Sequence, residues 1–398
     1  MQKILFYCQY LSGMGHLVRS SEIVRSLAKY FQVYFITGGP EIVGFELPFH
    51  VEVIRLPALW LEEGKFTVGN SPFNVEEVKE ARKNILIAEW DRIKPDCLIT
   101  EFFPFGRHKL FFELIPLVEH IKATSPQTKI VSSLRDVIGK ESDFEAEETI
   151  CYLMNRYFDL LLLHADARFQ PFSNSFARHR DIKAEIIHTG FVTQLPKCDY
   201  KDSSKLWDEV NSDKVKILAS VGGGRIGYEL LETLVESSAI LSQKLPHVMK
   251  IFTGPFMPVE KVTKLRQIVG DRHNIQIETY TPQLLDYMKT ADISVSLSGY
   301  NTTMNILNTG VRAIVVPLGH ERQDKEQLLR TQKLEQLGIV NCVHPQVLSS
   351  MRLAEKIIAC LQKKTSSSTH SFDLGGTENT AIFLQNFLNP QVSAMNFA

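Results

Sequence analysis

His16 stands in the segment Ser12-Gly13-Met14-Gly15-His16, directly after a β-rich run at residues 3–7. Glycines at 13 and 15 let the backbone approach a ligand closely at the end of a strand, where open α/β sheets bind their ligands. His16 is thereby placed at the mouth of a crevice. A second polar group gathers at Ser298, Gly299, Asn301, Thr302 and Thr303, between a buried-strand pattern at 293–297 and a helical pattern that begins at 301. A helix start carries unpaired N–H groups and a partial positive charge, so it can dock an anion such as a pyrophosphate without lysine or metal. The hydroxyls of Ser298, Thr302 and Thr303 can add donors, while Ser298 or Asn301 can equally serve only as a cap. Glu326 and Gln327 open a further amphipathic helix. Two adjacent hydrogen-bonding side chains beside a phosphate site suit the hydroxyls of a sugar.

Four other spots lie at strand ends. Gly222-Gly223-Gly224-Arg225-Ile226-Gly227 follows a run at 215–221 and can wrap a phosphate, but the Lys-Ser/Thr ending of a P-loop is missing, which argues against an ATPase or GTPase. Tyr280-Thr281-Pro282 opens a turn whose backbone can recognise a base edge. Glu101 begins EFFPFGR and can orient a histidine or bind an acceptor. Arg135 and Asp136 close VSSLRDV, where they can bind an acceptor or pair with each other. A dinucleotide fingerprint at 13–18 fails, because Val18 occupies the third glycine position and no acidic residue ends the run at 33–37.

The elements that must position these residues alternate. β-rich runs at 3–7, 33–37, 50–56, 96–100, 129–134, 160–164 and 185–189 are interspersed with helical patterns at 17–29, 76–93 and 110–123, which predicts a parallel sheet flanked by helices. Residues 57–72 read as a long connection, rich in Trp, Phe, Gly and Pro, that packs over the core or faces an acceptor. A charged, serine-containing interval at 195–213 suits a linker. The rhythm then restarts with strands at 215–221, 247–252, 274–278, 292–297 and 313–316 and a helix at 228–245. A polar interval at 363–371 precedes a last helix at 378–388, which it can return to the first domain.

With 398 residues, two domains are expected. Hydrophobic residues at 44% and charged residues at 22% fit a globular protein, and 44 Lys and Arg against 45 Asp and Glu give no push toward nucleic acid. Six scattered cysteines without a C-x-x-C pair argue for free thiols. No apolar stretch approaches the ~18 residues that span a bilayer, so a cytoplasmic protein is expected. The absence of a D-x-D pair favours phosphate binding by helix ends and backbone amides over a metal-held diphosphate.

Residues 13–19, Gly-Met-Gly-His-Leu-Val-Arg, resemble the G-x-G-H-x-x-R signature of MurG-like GT-B glycosyltransferases. EFFPFGR, SLRDV, VGGGRIG, FTGPFMP, SLSGYNTTMNIL and ERQDKEQLLRTQKLEQLGI are similar to a branch of predicted MurG-like glycosyltransferases, so the likeness runs along nearly the whole chain. It implies an α/β protein of GT-B type, with two Rossmann-like domains facing across a cleft. Residues 1–197 would bind the acceptor, 213–364 the nucleotide-sugar donor, and 372–398 would supply a helix packing back on the first domain. It further implies an inverting, metal-independent transfer that needs no cofactor beyond the nucleotide-sugar substrate, to a small-molecule or lipid-linked acceptor. Peripheral contact with a membrane would go with the latter, and no nucleic acid is involved. By matching position, His16 falls at a candidate general base and Gly15 beside it. Gly223 and Gly224 fall on the phosphate-facing loop, Ser298, Gly299, Thr302 and Thr303 at the pyrophosphate-binding helix start, Tyr280 and Thr281 at the base, and Glu326 and Gln327 at the donor sugar. Asn305 replaces the glutamate that holds both ribose hydroxyls in the family. An amide has one acceptor oxygen where a carboxylate has two, so the nucleotide and even the activity are left open. Sugar-nucleotide epimerisation or hydrolysis, and nucleotide-sugar binding without turnover, are the competing readings.

Overall fold

A computed structural model describes residues 1–11, 13–42, 45–62, 64–136, 144–194, 206–207, 213–317, 325–363 and 371–389. The first sheet holds seven parallel strands in the order β3-β2-β1-β6-β7-β8-β9. These are β1 (Lys3–Tyr7), β2 (Gln32–Thr37), β3 (Glu52–Arg55), β6 (Cys97–Glu101), β7 (Lys129–Arg135), β8 (Leu160–His164) and β9 (Glu185–His188). Between β3 and β6 the chain makes a small antiparallel hairpin, β4 (Trp60–Glu62) and β5 (Lys65–Thr67), inside the stretch expected to be a loop. Trp60 and Phe66 supply β-forming side chains on its two arms. The second sheet is also all parallel, in the order β12-β11-β10-β13-β14-β15, built from β10 (Val215–Ser220), β11 (His247–Phe252), β12 (Ile275–Glu278), β13 (Ile293–Leu297), β14 (Ala313–Val316) and β15 (Asn341–Cys342).

Both sheets reverse their winding once, between β1 and β6 in the first and between β10 and β13 in the second. Ligands of open α/β sheets bind in the crevice at such a switch point, beyond the carboxyl ends of the strands. The strand interiors are continuous apolar runs such as ILFY and LLLL, as sheets covered on both faces require. The helices that cover the first sheet include α1 (Gly15–Leu27), α2 (Val75–Ile93), α3 (Phe111–Thr124) and α4 (Phe144–Tyr157). The last of these was not expected, because its acidic opening FEAEE masks the apolar face formed by Ile150, Leu153 and Met154. The second sheet is flanked by α5 (Tyr228–Leu241), α6 (Val259–Val269), α7 (Leu284–Thr290), α8 (Tyr300–Thr309), α9 (Lys325–Gln336) and α10 (Ser350–Gln362). The final helix, α11 (Gly376–Leu388), leaves the second sheet and packs on α1. Its Ala381 and Leu384 share a core with Leu17 and Val18, and Lys29 pairs with Glu378 at 2.7 Å.

A buried polar knot ties the first sheet to α2 and α3. Arg82 of α2 is fully buried and donates to both oxygens of Glu113 at 2.7 and 2.8 Å, to Gln9 at 2.9 Å and to the Pro57 carbonyl at 2.8 Å. Tyr7 also donates to Glu113, at 2.5 Å. Most of the expected linkers at 195–213 and 363–371 lies outside the described residues, as does Ser12. The five described cysteines are unpaired, and among the described residues no helix is long and apolar enough to cross a membrane.

Candidate active site

The switch points of the two sheets face one cavity of about 730 Å³. From the first sheet, the turn after β1 contributes Gly13, Met14, Gly15 and His16, the turn after β6 contributes Phe102, Phe105 and Arg107, and the end of β7 contributes Arg135. From the second, the glycine-rich turn after β10 contributes Gly222, Gly223 and Gly224, the turn after β12 contributes Tyr280 and Thr281, and the start of α8 contributes Gly299, Tyr300, Asn301 and Thr302. Asn305, Glu326 and Gln327 complete the same wall. The helices α1 and α8 begin here, α5 begins just beyond the glycine turn at Tyr228, and none has a side-chain cap at its N-terminus. Their leading amides are therefore left for another acceptor. The two glycine turns nearly touch. A Cβ on Gly223 would lie 3.6 Å from the Met14 nitrogen, and one on Gly224, whose φ is +85°, would lie 2.2 Å from the Thr253 carbonyl. Only glycine fits the second position.

His16 is 18% exposed, and its Nδ1 lies 2.6 Å from Oε1 of Glu101, which is fully buried. Glu101 also receives Arg107 at 3.0 Å and the Arg19 guanidinium. Burial alone would raise the Glu101 pKa, but His16, Arg107 and Arg19 hold it well below the usual carboxylate range. An ionised carboxylate can only accept, so Nδ1 of a neutral His16 donates and Nε2 keeps its lone pair. Burial, and then the charge of Arg107, lower the imidazole pKa to about 3 against the opposing pull of Glu101.

Several expected site residues sit elsewhere than at the cavity surface. Ser298 is fully buried and its hydroxyl engages Thr331, while Thr303 donates to the Gly299 and Tyr300 carbonyls at 3.1 and 2.8 Å. Both hydroxyls stabilise the turn and first helical coil, so the anion-facing groups on this side are Gly299, Asn301 and Thr302. Glu101 and Asp136 also lie behind the lining rather than in it. Arg135 and Asp136 do not pair with each other. Arg135 reaches Glu326, and Asp136 takes both Nε and Nη2 of Arg330 at 2.7 Å, each across the cleft. Arg330 is itself fully buried and also engages Glu326. Glu326 thus lines the cavity with both oxygens already bonded. Asn305 donates to Gln194 at 2.6 Å, and its buried Oδ1 has no partner among the described residues.

Arg19, Phe102, Arg107, Gln194, Tyr300 and Arg330 were not singled out from sequence. Arg19, Arg107 and Arg330 sit inside the quoted motifs, but only the folded chain shows that they converge. Asn301, in contrast, bridges the lobes directly, donating to the Gly15 carbonyl at 2.9 Å.

Residues 218–378 match the Glycosyltransferase family 28 C-terminal domain. MurG of Acinetobacter baumannii aligns over 98% of this chain and 100% of its own, at 12% identity and a TM-score of 0.55. The calicheamicin glycosyltransferase CalG4 aligns over 100% of this chain and 97% of its own, at 15% identity and a TM-score of 0.57. The chain has the GT-B fold. The NDP-glycosyltransferase YjiC of Bacillus licheniformis is 28% identical over 123 residues, which is 29% of this chain and 30% of that relative's length. The GT-B framework accounts for the two reversed parallel sheets, the cleft between them and the return of α11 to the first sheet.

Proposed function

We propose that the protein is an inverting, metal-independent glycosyltransferase of MurG-like type, acting in the cytoplasm on a nucleotide-diphosphate sugar and an acceptor hydroxyl. The observation that carries this reading is the shared cavity: a neutral imidazole held by a buried carboxylate on one wall, and uncapped helix starts with a glycine turn on the other. The match of 218–378 to a glycosyltransferase C-terminal domain supports it independently. The diphosphate docks against the amides of Gly223, Gly224, Gly299 and Thr302, and the α8 dipole stabilises the charge that develops as the nucleotide diphosphate leaves. Tyr280 and Thr281 border the base, and Gln327 with Glu326 the transferred sugar. Asn305, with its amide donating to Gln194, offers a single acceptor to a ribose hydroxyl. On the opposite wall, His16 Nε2 takes the proton of the acceptor hydroxyl while the oxygen attacks the anomeric carbon from the face away from the leaving group. Direct displacement of this kind inverts the configuration. The acceptor is a small or lipid-linked molecule with an apolar part, since Leu11, Phe45, Leu61 and Phe105 line that side of the cavity.

The test is a donor screen in EDTA with the intact protein and His16→Ala, with product stereochemistry read by NMR. Transfer should survive the chelator, invert the anomeric centre, and fall by about 10²- to 10⁴-fold in the variant. Equal transfer by both proteins removes His16 as the base. Conversion of the donor sugar without acceptor would instead favour an epimerase or hydrolase.

A further inference from the structure

The first-sheet wall of the cavity carries more positive charge than diphosphate binding on the opposite wall employs. Two aromatic rings, Phe102 of the first lobe and Tyr300 of the second, organise the cations around it. The Phe102 ring has the Arg135 guanidinium 5.0 Å and the Arg107 guanidinium 5.9 Å from its centroid, with the His16 ring edge-on at 5.5 Å. The Tyr300 ring has Arg330 at 5.2 Å and Arg19 at 5.5 Å. Three carboxylates pair with these cations. Glu101 serves His16, Arg19 and Arg107; Glu326 serves Arg135 and Arg330; Asp136 serves Arg330. Among the described residues, four guanidiniums thus share three carboxylates in a cluster that spans both lobes, and the imidazole between them is neutral.

Burial makes that imbalance costly. Arg107 is 10% exposed and Arg135 20%, and in both the Nε is buried without a partner among the described residues, as it is in Arg19. A guanidinium has five N–H donors, and a buried charge that is only partly compensated, with a donor left without an acceptor, is destabilised. Such a cluster is balanced by one further negative charge. The diphosphate has its own cradle of backbone amides across the cleft, whereas Arg107 and Arg135 line the cavity on the His16 side.

We infer that the substrate carries a second anionic group, a carboxylate or phosphate close to the reacting hydroxyl or on the transferred sugar, held by Arg107 and Arg135 over the face of Phe102. The inference rests on the transferase reading and deepens it by fixing the charge of the substrate. The anion pairs with the two guanidiniums in charge-assisted hydrogen bonds and brings the cluster to neutrality. It also offsets the field of Arg107 at His16, which makes the imidazole more basic when substrate is in place.

Two binding measurements distinguish the sources of the anion. In the acceptor arm, full-length protein saturated with UDP is titrated calorimetrically with phenyl phosphate and with phenol. In the donor arm, UDP-glucuronate is compared with UDP-glucose. The anionic member of at least one pair should bind about tenfold more tightly or better, as a charge-assisted hydrogen bond in a buried site provides. Arg107→Gln and Arg135→Gln should each abolish that preference without changing UDP affinity, while Arg107→Lys and Arg135→Lys retain part of it. No preference in either arm overturns the inference. So does a parallel loss of UDP affinity, which would assign these cations to the diphosphate. Both arms read binding, so a failure of turnover, which would count against the transferase reading, leaves their outcome legible.

Discussion

Neutral His16 donates to Glu101, and the groups facing it set its proton affinity. Glu101 from β6 favours the imidazolium, whereas burial and the Arg107 and Arg135 charges disfavour it, with the net result a pKa lowered to about 3. An ordinary histidine base loses activity as pH falls through ~6.5. Here the neutral form persists far below that value. The profile of kcat/KM, which reports the free enzyme, should therefore show no acid limb near pH 6.5 and stay level down to about pH 5. A clear inflection between 6 and 7 would show that Glu101 dominates the field. At the same scale, Glu326 differs from the simple sugar-binding carboxylate expected of it. Arg135 and Arg330 already hold both its oxygens, so it faces the cavity as an oriented, charge-compensated carboxylate.

At the level of elements, α9 and β7 are latched across the cleft by Arg330 and Asp136. The pair is bidentate, both side chains are buried, and α8 adds the contacts of Tyr300 to the Val192 amide and the His164 carbonyl. Removing one member of a buried pair leaves the other uncompensated, at a cost of about 3–5 kcal/mol. Asp136→Asn leaves Arg330 with Glu326 alone and should lower the unfolding free energy by about 3 kcal/mol, read from a urea titration, and small-angle scattering should show the lobes separating. If stability and shape are both unchanged, the latch is not what holds the lobes. The start of α8 illustrates a second element-scale point. Expectation put four hydroxyl or glycine groups toward the anion. Helical geometry turns Thr303 back onto the carbonyls of its own first turn, and Ser298, directly after β13, faces Thr331, so two of the four point away.

For the molecule as a whole, buried histidines couple stability to acid. His164 is fully buried between the hydroxyls of Ser133 and Thr189, both at 2.8 Å, and burial lowers its pKa to about 3, as for His16. In the unfolded chain both titrate near 6.5. Between about pH 6.5 and pH 3 the unfolded state binds more protons than the folded one, so stability is intact above this window and declines as pH falls through it. Each histidine should remove about 2 kcal/mol by pH 5, and urea midpoints measured between pH 7.5 and 5 would display the slope. A flat dependence would mean that these imidazoles are not held neutral.

The alternation of apolar runs and helical patterns gave the parallel strands of both sheets except the two-residue β15, and the glycines at 13, 15, 223 and 224 marked the turns that meet at the cavity, because both signals are local consequences of side-chain period and backbone freedom. The α4 helix and the β4–β5 hairpin escaped the same reading, since an acidic first turn and a Gly- and Pro-rich stretch hide their periodicity. Partner choice among charges was not legible either. Arg135 is adjacent to Asp136 in sequence, yet the two reach separately to Glu326 and Arg330, almost two hundred residues away. A charged side chain finds its partner through the packing of lobes, and that distance relation exists only once both sheets have folded and closed on each other.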